Sequence, residues 1–269
     1  MRTIVHLSDL HFGRVDPHVL EPLISTVNDL KPNLVAVSGD LTQRARSRQF
    51  LEARAFLDKL PQPQIVVPGN HDVPLHNLFA RFVRRLTKYK RYITEDLQPV
   101  YADEELVVIG VNTARSLTFK SGRINELQVA QLRNELCARG DNVIKIVVTH
   151  HPFDLPAGHD ESDLLGRAVM AMTTLADCGA DLFLSGHLHL SHTGHTAKRY
   201  KIAGHSALVV QAGTATSTRG RGEANSFNLV RINSPKIRVE RFVWQPSHEA
   251  FMAAGDENFE RGTDGWIRI

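Results

Sequence analysis

Five short clusters in the first 190 residues hold the side chains that ligate metals and move protons. They are Ser8-Asp9-Leu10-His11, Ser38-Gly39-Asp40, Pro68-Gly69-Asn70-His71-Asp72, Thr149-His150-His151-Pro152 and Ser185-Gly186-His187-Leu188-His189. Carboxylate, imidazole and amide oxygen without thiolate suit divalent ions such as Mn, Fe, Zn or Co. Asp-x-His and His-x-His put alternate residues on one side of an extended segment, so each pair reaches a common point. The glycines before Asp40, Asn70 and His187 are expected to allow sharp turns. Asp, His and Asn from five segments aimed at one crevice would give far more ligands than one metal needs.

Each cluster follows a short apolar run: residues 3–7 (TIVHL), 34–37 (LVAV), 65–67 (IVV), 143–148 (VIKIVV) and 182–184 (LFL). A further run, residues 106–111 (LVVIGV), ends at Asn112. Runs of this length read as strands buried on both faces. Between them, residues 19–30, 48–60, 75–92, 126–138 and 162–178 carry helical periodicity. Alternating strand and helix predicts an α/β fold with a largely parallel sheet in the first part. In such sheets the crevice beyond the strand C-termini binds ligands, which is where all five clusters fall.

After residue 190 the runs 207–211, 227–232 and 237–244 alternate apolar and polar and read as antiparallel β-structure. One domain over residues 1–245 is expected, followed by a tail over 246–269, packed on the body or partly disordered.

Composition narrows the class. The chain has 269 residues, 42% hydrophobic and 23% charged, with a net charge of +3, ordinary for a packed globular protein. That charge is too small to argue for nucleic acid or membrane. Cys137 and Cys178 show no CxxC pattern and read as two buried small side chains in a reducing compartment. With no signal segment and no run of 18 apolar residues, a cytoplasmic location is expected.

The ordered set DLH, GD, GNHD, HH and GHLH, spanning residues 9–189, resembles the signature of the calcineurin-like metallophosphoesterase superfamily. LSDLHFG, VSGDLT, VPGNHD, THHPF and SGHLH are most similar to bacterial class III cyclic-nucleotide phosphodiesterases and their glycerophosphodiesterase relatives. Protein Ser/Thr phosphatases of the superfamily carry GDxVDRG and GNHE. The GDLTQRA and GNHD found here depart from both. Nuclease members carry a long additional DNA-binding part, for which this chain has no room.

The resemblance implies a four-layer α/β/β/α sandwich of two mixed sheets flanked by helices. It implies two divalent ions, Mn, Fe or Zn, with a hydroxide between them attacking the phosphorus of a small phosphodiester. Asp9, His11 and His189 would hold the first ion, and Asn70, His150 and His187 the second. Asp40 would bridge them. His71 would donate a proton to the leaving oxygen or stabilise the transition state. Asp72 either orients His71 or forms a turn or helix cap before residues 73–74. His151 braces the ligands or faces substrate, and Arg14 and Asn112 are candidate substrate contacts.

The segment 81–91 (RFVRRLTKYKR) sets six cations beside Phe82, Val83, Leu86 and Tyr89. It reads either as a core-packed helix with a solvated basic side or as a surface for peripheral membrane contact or for a phosphate-rich substrate.

Overall fold

The computed structural model describes residues 1–74, 86–115, 120–202, 204–219 and 222–269. Its strands are β1 (Arg2–Leu7), β2 (Leu34–Val37), β3 (Gln64–Val66), β4 (Val100–Ala102), β5 (Leu106–Val111), β6 (Ile144–Thr149), β7 (Leu182–Ser185), β8 (His192–His195), β9 (Leu208–Gln211), β10 (Ser226–Asn233), β11 (Lys236–Gln245), β12 (Ala250–Gly262) and β13 (Gly265–Arg268). The helices are α1 (Pro17–Asp29), α2 (Ser47–Leu57), α3 (Thr87–Tyr92), α4 (Glu126–Cys137), α5 (Ala168–Asp177) and the single turn α6 (Ala197–Tyr200).

The strands form a seven-stranded sheet, β13-β12-β11-β10-β1-β2-β3, and a six-stranded sheet, β4-β5-β6-β7-β9-β8. Side-chain alternation along each strand sorts the core into three layers. Ile4, Ala36, Ile65 and Val67 face Val108, Ile146, Val148, Leu184 and Val210 between the sheets. The opposite faces of β1 and β2, through Val5, Leu7, Val35 and Val37, take α1 and α2 by Val19, Leu23, Phe50 and Phe56. Val107, Ile109, Val147 and Phe183 take α4 and α5 by Leu132, Leu136, Met172 and Leu175. This is the α/β/β/α sandwich, and strands buried on both faces explain the unbroken apolar runs.

Helix starts follow local chemistry. Pro17 opens α1 behind Asp16, whose carboxylate accepts the His18 N–H at 3.0 Å. Asn125 and Gln128 cap α4 reciprocally, side chain to backbone, at 2.8 and 3.1 Å.

Three sequence expectations change. Parallel and antiparallel pairing are not split by chain half. β1-β2-β3 and β5-β6-β7-β9 are the parallel parts of two different sheets, and β9 pairs with β7 in parallel. Residues 246–269 are not a tail, because β12 and β13 extend the first sheet and bury Phe251, Phe259 and Trp266. Cys137 and Cys178 are not separate thiols but a disulfide, with Cα atoms 4.6 Å apart, joining the ends of α4 and α5. A separation of 41 residues hides that pairing from a sequence reading. Among the described residues, no helix is long and apolar enough to cross a membrane.

His6 lies on the inward face of β1 in line with Ile4. Its Nε2 is 2.9 Å from Ser38 Oγ, and its buried Nδ1 has no partner. Burial pushes its pKa down to about 3, against about 6.5 in an unfolded chain. The unfolded chain therefore takes up a proton that the native state refuses. The stability that neutral His6 contributes is present above pH 6.5 and is lost as pH falls from there toward 3. Urea unfolding of chelator-treated protein at a series of pH values tests this. His6→Leu is expected to reduce the slope between pH 6 and 4 by one proton, about 1.4 kcal/mol per pH unit. An unchanged slope would refute it.

Candidate metal centre

Because β1-β2-β3 run parallel, as do β6 and β7, their C-terminal ends deliver Asp9 and His11, Asp40, Asn70 and His71, His150 and His151, and His187 and His189 to one edge of the sandwich. The loop after β1 remains laced to the loop after β2. Asp9 N–H donates to Gly39 O at 3.1 Å, His11 N–H to Asp40 O at 2.9 Å and Phe12 N–H to Leu41 O at 2.8 Å.

The backbone there is strained. Asp9, His11, Asp40, His187 and His189 have φ of 53°, 50°, 52°, 76° and 58°. Non-glycine residues visit this left-handed region rarely, and it persists only where the surroundings enforce it. Of the three glycines expected at sharp turns, Gly39 alone has positive φ, +93°. Gly69 and Gly186 serve close approach instead. A Cβ would lie 2.1 Å from Asp40 Oδ1 at the first and 1.8 Å from Ser8 Oγ at the second.

The donor atoms converge in two groups. His11 Nε2 and His189 Nε2 are 3.3 Å apart, and Asp9 Oδ1 lies 3.5 and 3.4 Å from them. Donors held about 2.1 Å from a tetrahedral ion are about 3.4 Å from one another, so the spacing suits a common ion. Asp9 Oδ1 is buried with no hydrogen-bond partner, as a ligand lone pair would be. In the second group, His150 Nε2 is 3.0 Å from Asn70 Oδ1 and 3.4 Å from Asp40 Oδ2. Asp40 Oδ2 is also 3.7 Å from His11 Nε2, so one carboxylate oxygen faces both groups. Asp40 Oδ1 accepts the His71 N–H at 2.8 Å.

Charge states and outer contacts suit ligation. Burial opposes ionisation of both Asp9 and Asp40, and the Asp40 charge adds to this at Asp9, yet the surrounding histidines hold both below the usual carboxylate range. Burial pushes His189 down to about 4 and lowers His187, leaving neutral imidazoles. Burial works against charge on His150 too, but Asp40 overcomes it and pushes His150 up to about 9. An arriving cation would have to displace that proton. His150 Nδ1 donates to Ser38 O at 2.8 Å, which leaves Nε2 for the centre. His189 Nδ1 meets Thr214 Oγ1 at 2.9 Å. His187 Nε2 is 3.6 Å from Asp163 Oδ1, and Asp163 is paired with Lys120.

The expected second sphere is rearranged. The His71 ring is held by the Gln43 carbonyl at Nδ1, 2.9 Å, not by Asp72. The Asp72 carboxylate instead accepts from Gly69 N, Leu41 N, Thr42 N and Thr42 Oγ1 at 2.9 to 3.1 Å. It rivets the GNHD turn to the GDLT loop. His151 is fully buried, where Nε2 donates to Lys120 O and Nδ1 accepts from Thr113 Oγ1, both at 2.8 Å. Its ring packs on His150 and His187, with centroids 4.9 and 4.6 Å away. Asn112 Oδ1 is used in a turn, accepting Ala114 N–H at 3.0 Å. Arg14 is exposed, and its carbonyl accepts Thr218 N–H at 3.0 Å.

Of the basic segment, residues 81–85 lie outside the described residues. Leu86 and Tyr89 are core, Lys88 Nζ donates to Ala45 O at 3.0 Å, and Lys90 and Arg91 are exposed.

Three residues at the centre escaped the sequence reading: Asp163, Thr214 and Arg219. Arg219 Nη1 is 3.0 Å from His71 Nε2. None sits in a recognisable cluster, and only the GTATSTR run after β9 carries a hint, being polar just past a strand end.

The family model described as calcineurin-like phosphoesterase matches residues 2–191. Glycerophosphodiester phosphodiesterase GpdQ of Enterobacter lignolyticus (strain SCF1) is 27% identical over 171 residues, 60% of this chain and 60% of that protein. The matched part therefore spans less than two thirds of the relative's own length. Purple acid phosphatase PPD1 from yellow lupin (Lupinus luteus) superposes with a TM-score of 0.68 at 11% identity, covering 95% of this chain and 53% of the other. A dimetal phosphatase from Danio rerio does so at 0.67 and 13%, covering 89% and 95%. At those identities the two structures speak for the fold.

If Asp40 Oδ2 serves both groups, Asp40→Ala loses both ions, while His189→Ala chiefly weakens one. Elemental analysis of the purified variants, with circular dichroism to verify folding, reads this directly. A folded Asp40→Ala protein that still holds two ions per chain would rule out the bridge.

Proposed function

Since the chain belongs to the calcineurin-like phosphoesterase family, we propose that it is a dinuclear metal-dependent phosphodiesterase acting on small substrates such as glycerophosphodiesters or cyclic nucleotides. The observation that carries the reading is the shared carboxylate. Asp9, His11 and His189 form one donor group, Asn70 and His150 another, and Asp40 Oδ2 lies 3.4 to 3.7 Å from a histidine of each. His187 completes the second group in this assignment. The name of the GpdQ relative supports a diester substrate.

Two divalent ions bound there would supply Lewis-acid polarisation of a phosphoryl oxygen and an acidified water at neutral pH. The protein's own share is orientation and proton transfer. A carbonyl can only accept, so the Gln43 contact fixes the His71 proton on Nδ1. A guanidinium can only donate, so Nε2 presents its lone pair to Arg219. His71 is therefore neutral in the free protein, and burial lowers its pKa further. An anionic phosphate beside it offsets that burial and lets Nε2 take up a proton from solvent, which it then gives to the departing alkoxide. A ribose or glycerol oxygen needs that proton; p-nitrophenolate does not.

Hydrolysis assays on Mn-, Zn- or Fe-reconstituted protein test the reading. Bis-p-nitrophenyl phosphate and glycerophosphodiesters should be cleaved faster than p-nitrophenyl phosphate, and EDTA should abolish turnover. A strong monoesterase without diester activity would overturn it. His71→Ala is expected to slow glycerophosphodiester cleavage about 10²–10⁴-fold and nitrophenyl diester cleavage far less, with metal content retained. Equal losses on both substrates would assign His71 to phosphate positioning instead.

A further inference from the structure

We infer that Arg219 is a substrate-contact residue, its guanidinium taking a non-bridging oxygen of the phosphodiester, an inference that rests on the phosphoesterase reading above. The residue lies in the loop between β9 and β10, whose first part is sewn to the metal-ligand segment after β1. Ala215 N–H donates to Ser8 O at 3.0 Å, Thr216 Oγ1 to Leu10 O at 2.6 Å and Ser217 Oγ to Arg14 O at 3.2 Å. In return Asp16 N–H donates to Thr216 O at 2.8 Å. Asn225 Nδ2 reaches Ser217 O at 3.0 Å, and Ser217 Oγ accepts the Arg219 N–H at 3.1 Å. Thr214, in the same loop, touches ligand His189. The backbone leading into Arg219 is thus referenced to the centre, as a precise anion contact requires.

Among the described residues its guanidinium is met by a neutral imidazole acceptor, that of His71. The side chain is half-buried, and no carboxylate among the described residues lies within ion-pair distance. Its neighbours are imidazoles: Nη1 donates to His71 Nε2, and the His71 ring stands edge-on to His11, centroids 5.0 Å apart. A half-buried guanidinium without a counter-ion is costly. Loading cations into the adjacent donor groups makes its position worse. An anion lying between guanidinium and ligands removes both penalties, and Arg offers two parallel N–H donors to phosphate oxygens. The same displacement takes Arg219 off His71 Nε2 when substrate arrives, freeing that nitrogen.

The test uses metal-loaded full-length protein and two variants, Arg219→Ala and Arg219→Lys. Inorganic phosphate binding by calorimetry is the first readout. Arg219→Ala should weaken it at least tenfold, with Arg219→Lys between, while metal content and melting temperature stay at the wild-type values. KM for bis-p-nitrophenyl phosphate should rise in parallel. Unchanged phosphate affinity and KM in Arg219→Ala, with only a shifted pH profile, would make Arg219 a positioning residue for His71 and overturn the inference. Loss of metal or of stability would make it a structural residue and overturn it equally. If wild-type protein cleaves no diester, the phosphodiesterase reading fails, and the calorimetry still decides whether Arg219 holds a phosphate.

Discussion

Asp40 is the constraint around which the rest is arranged. It is a buried carboxylate held ionised by the imidazoles of His150, His71 and His11, and its two oxygens do different work. Oδ1 holds the backbone of His71, while Oδ2 faces His11 on one side and His150 on the other. Those two histidines come from opposite sheets of the sandwich. The two sheets must therefore close with their parallel edges in register, or the carboxylate is left buried without compensation, an expensive outcome.

Much of the irregular backbone follows from that demand. Five charged or imidazole side chains are turned inward by left-handed residues at the ends of β1, β2 and β7. Asp72 holds two of these turns together by accepting four hydrogen bonds. Its environment is contradictory. Burial and the nearby Asp40 charge push its pKa up to about 6, whereas four donors favour the carboxylate. A cation that offsets the Asp40 charge would relieve the conflict. Gly69 and Gly186 belong to the same problem, since any Cβ there would occupy the space of Asp40 or Ser8.

Electrostatically the centre is built for an anion. Buried imidazoles, two carboxylates and a guanidinium with no carboxylate partner among the described residues would leave a net positive rim once divalent ions were bound. In the proposed reaction a phosphodiester, with its single negative charge, would lie between ligands and rim. The His71 ring lies at the boundary of the two, with one nitrogen fixed by a backbone carbonyl and the other turned toward the rim.

The ligand chemistry was readable in the sequence because it is local. Each cluster directly follows a strand, and strand periodicity is a property of neighbouring residues. DLH, GD, GNHD, HH and GHLH therefore announce their place at strand ends without knowledge of strand order. The sandwich was readable through the resemblance, but which strands share a sheet was not. Only the tertiary structure decided that β9 pairs with β7, that residues 250–268 close the first sheet, and that Cys137 meets Cys178. The roles of Asp72, His151 and Arg219 depend on contacts across 31, 38 and 148 residues. Such contacts arise from sheet order and loop packing, which short-range pattern does not encode; an arginine in a Gly-Thr-Ser loop looks like any other until the fold sets it beside His71.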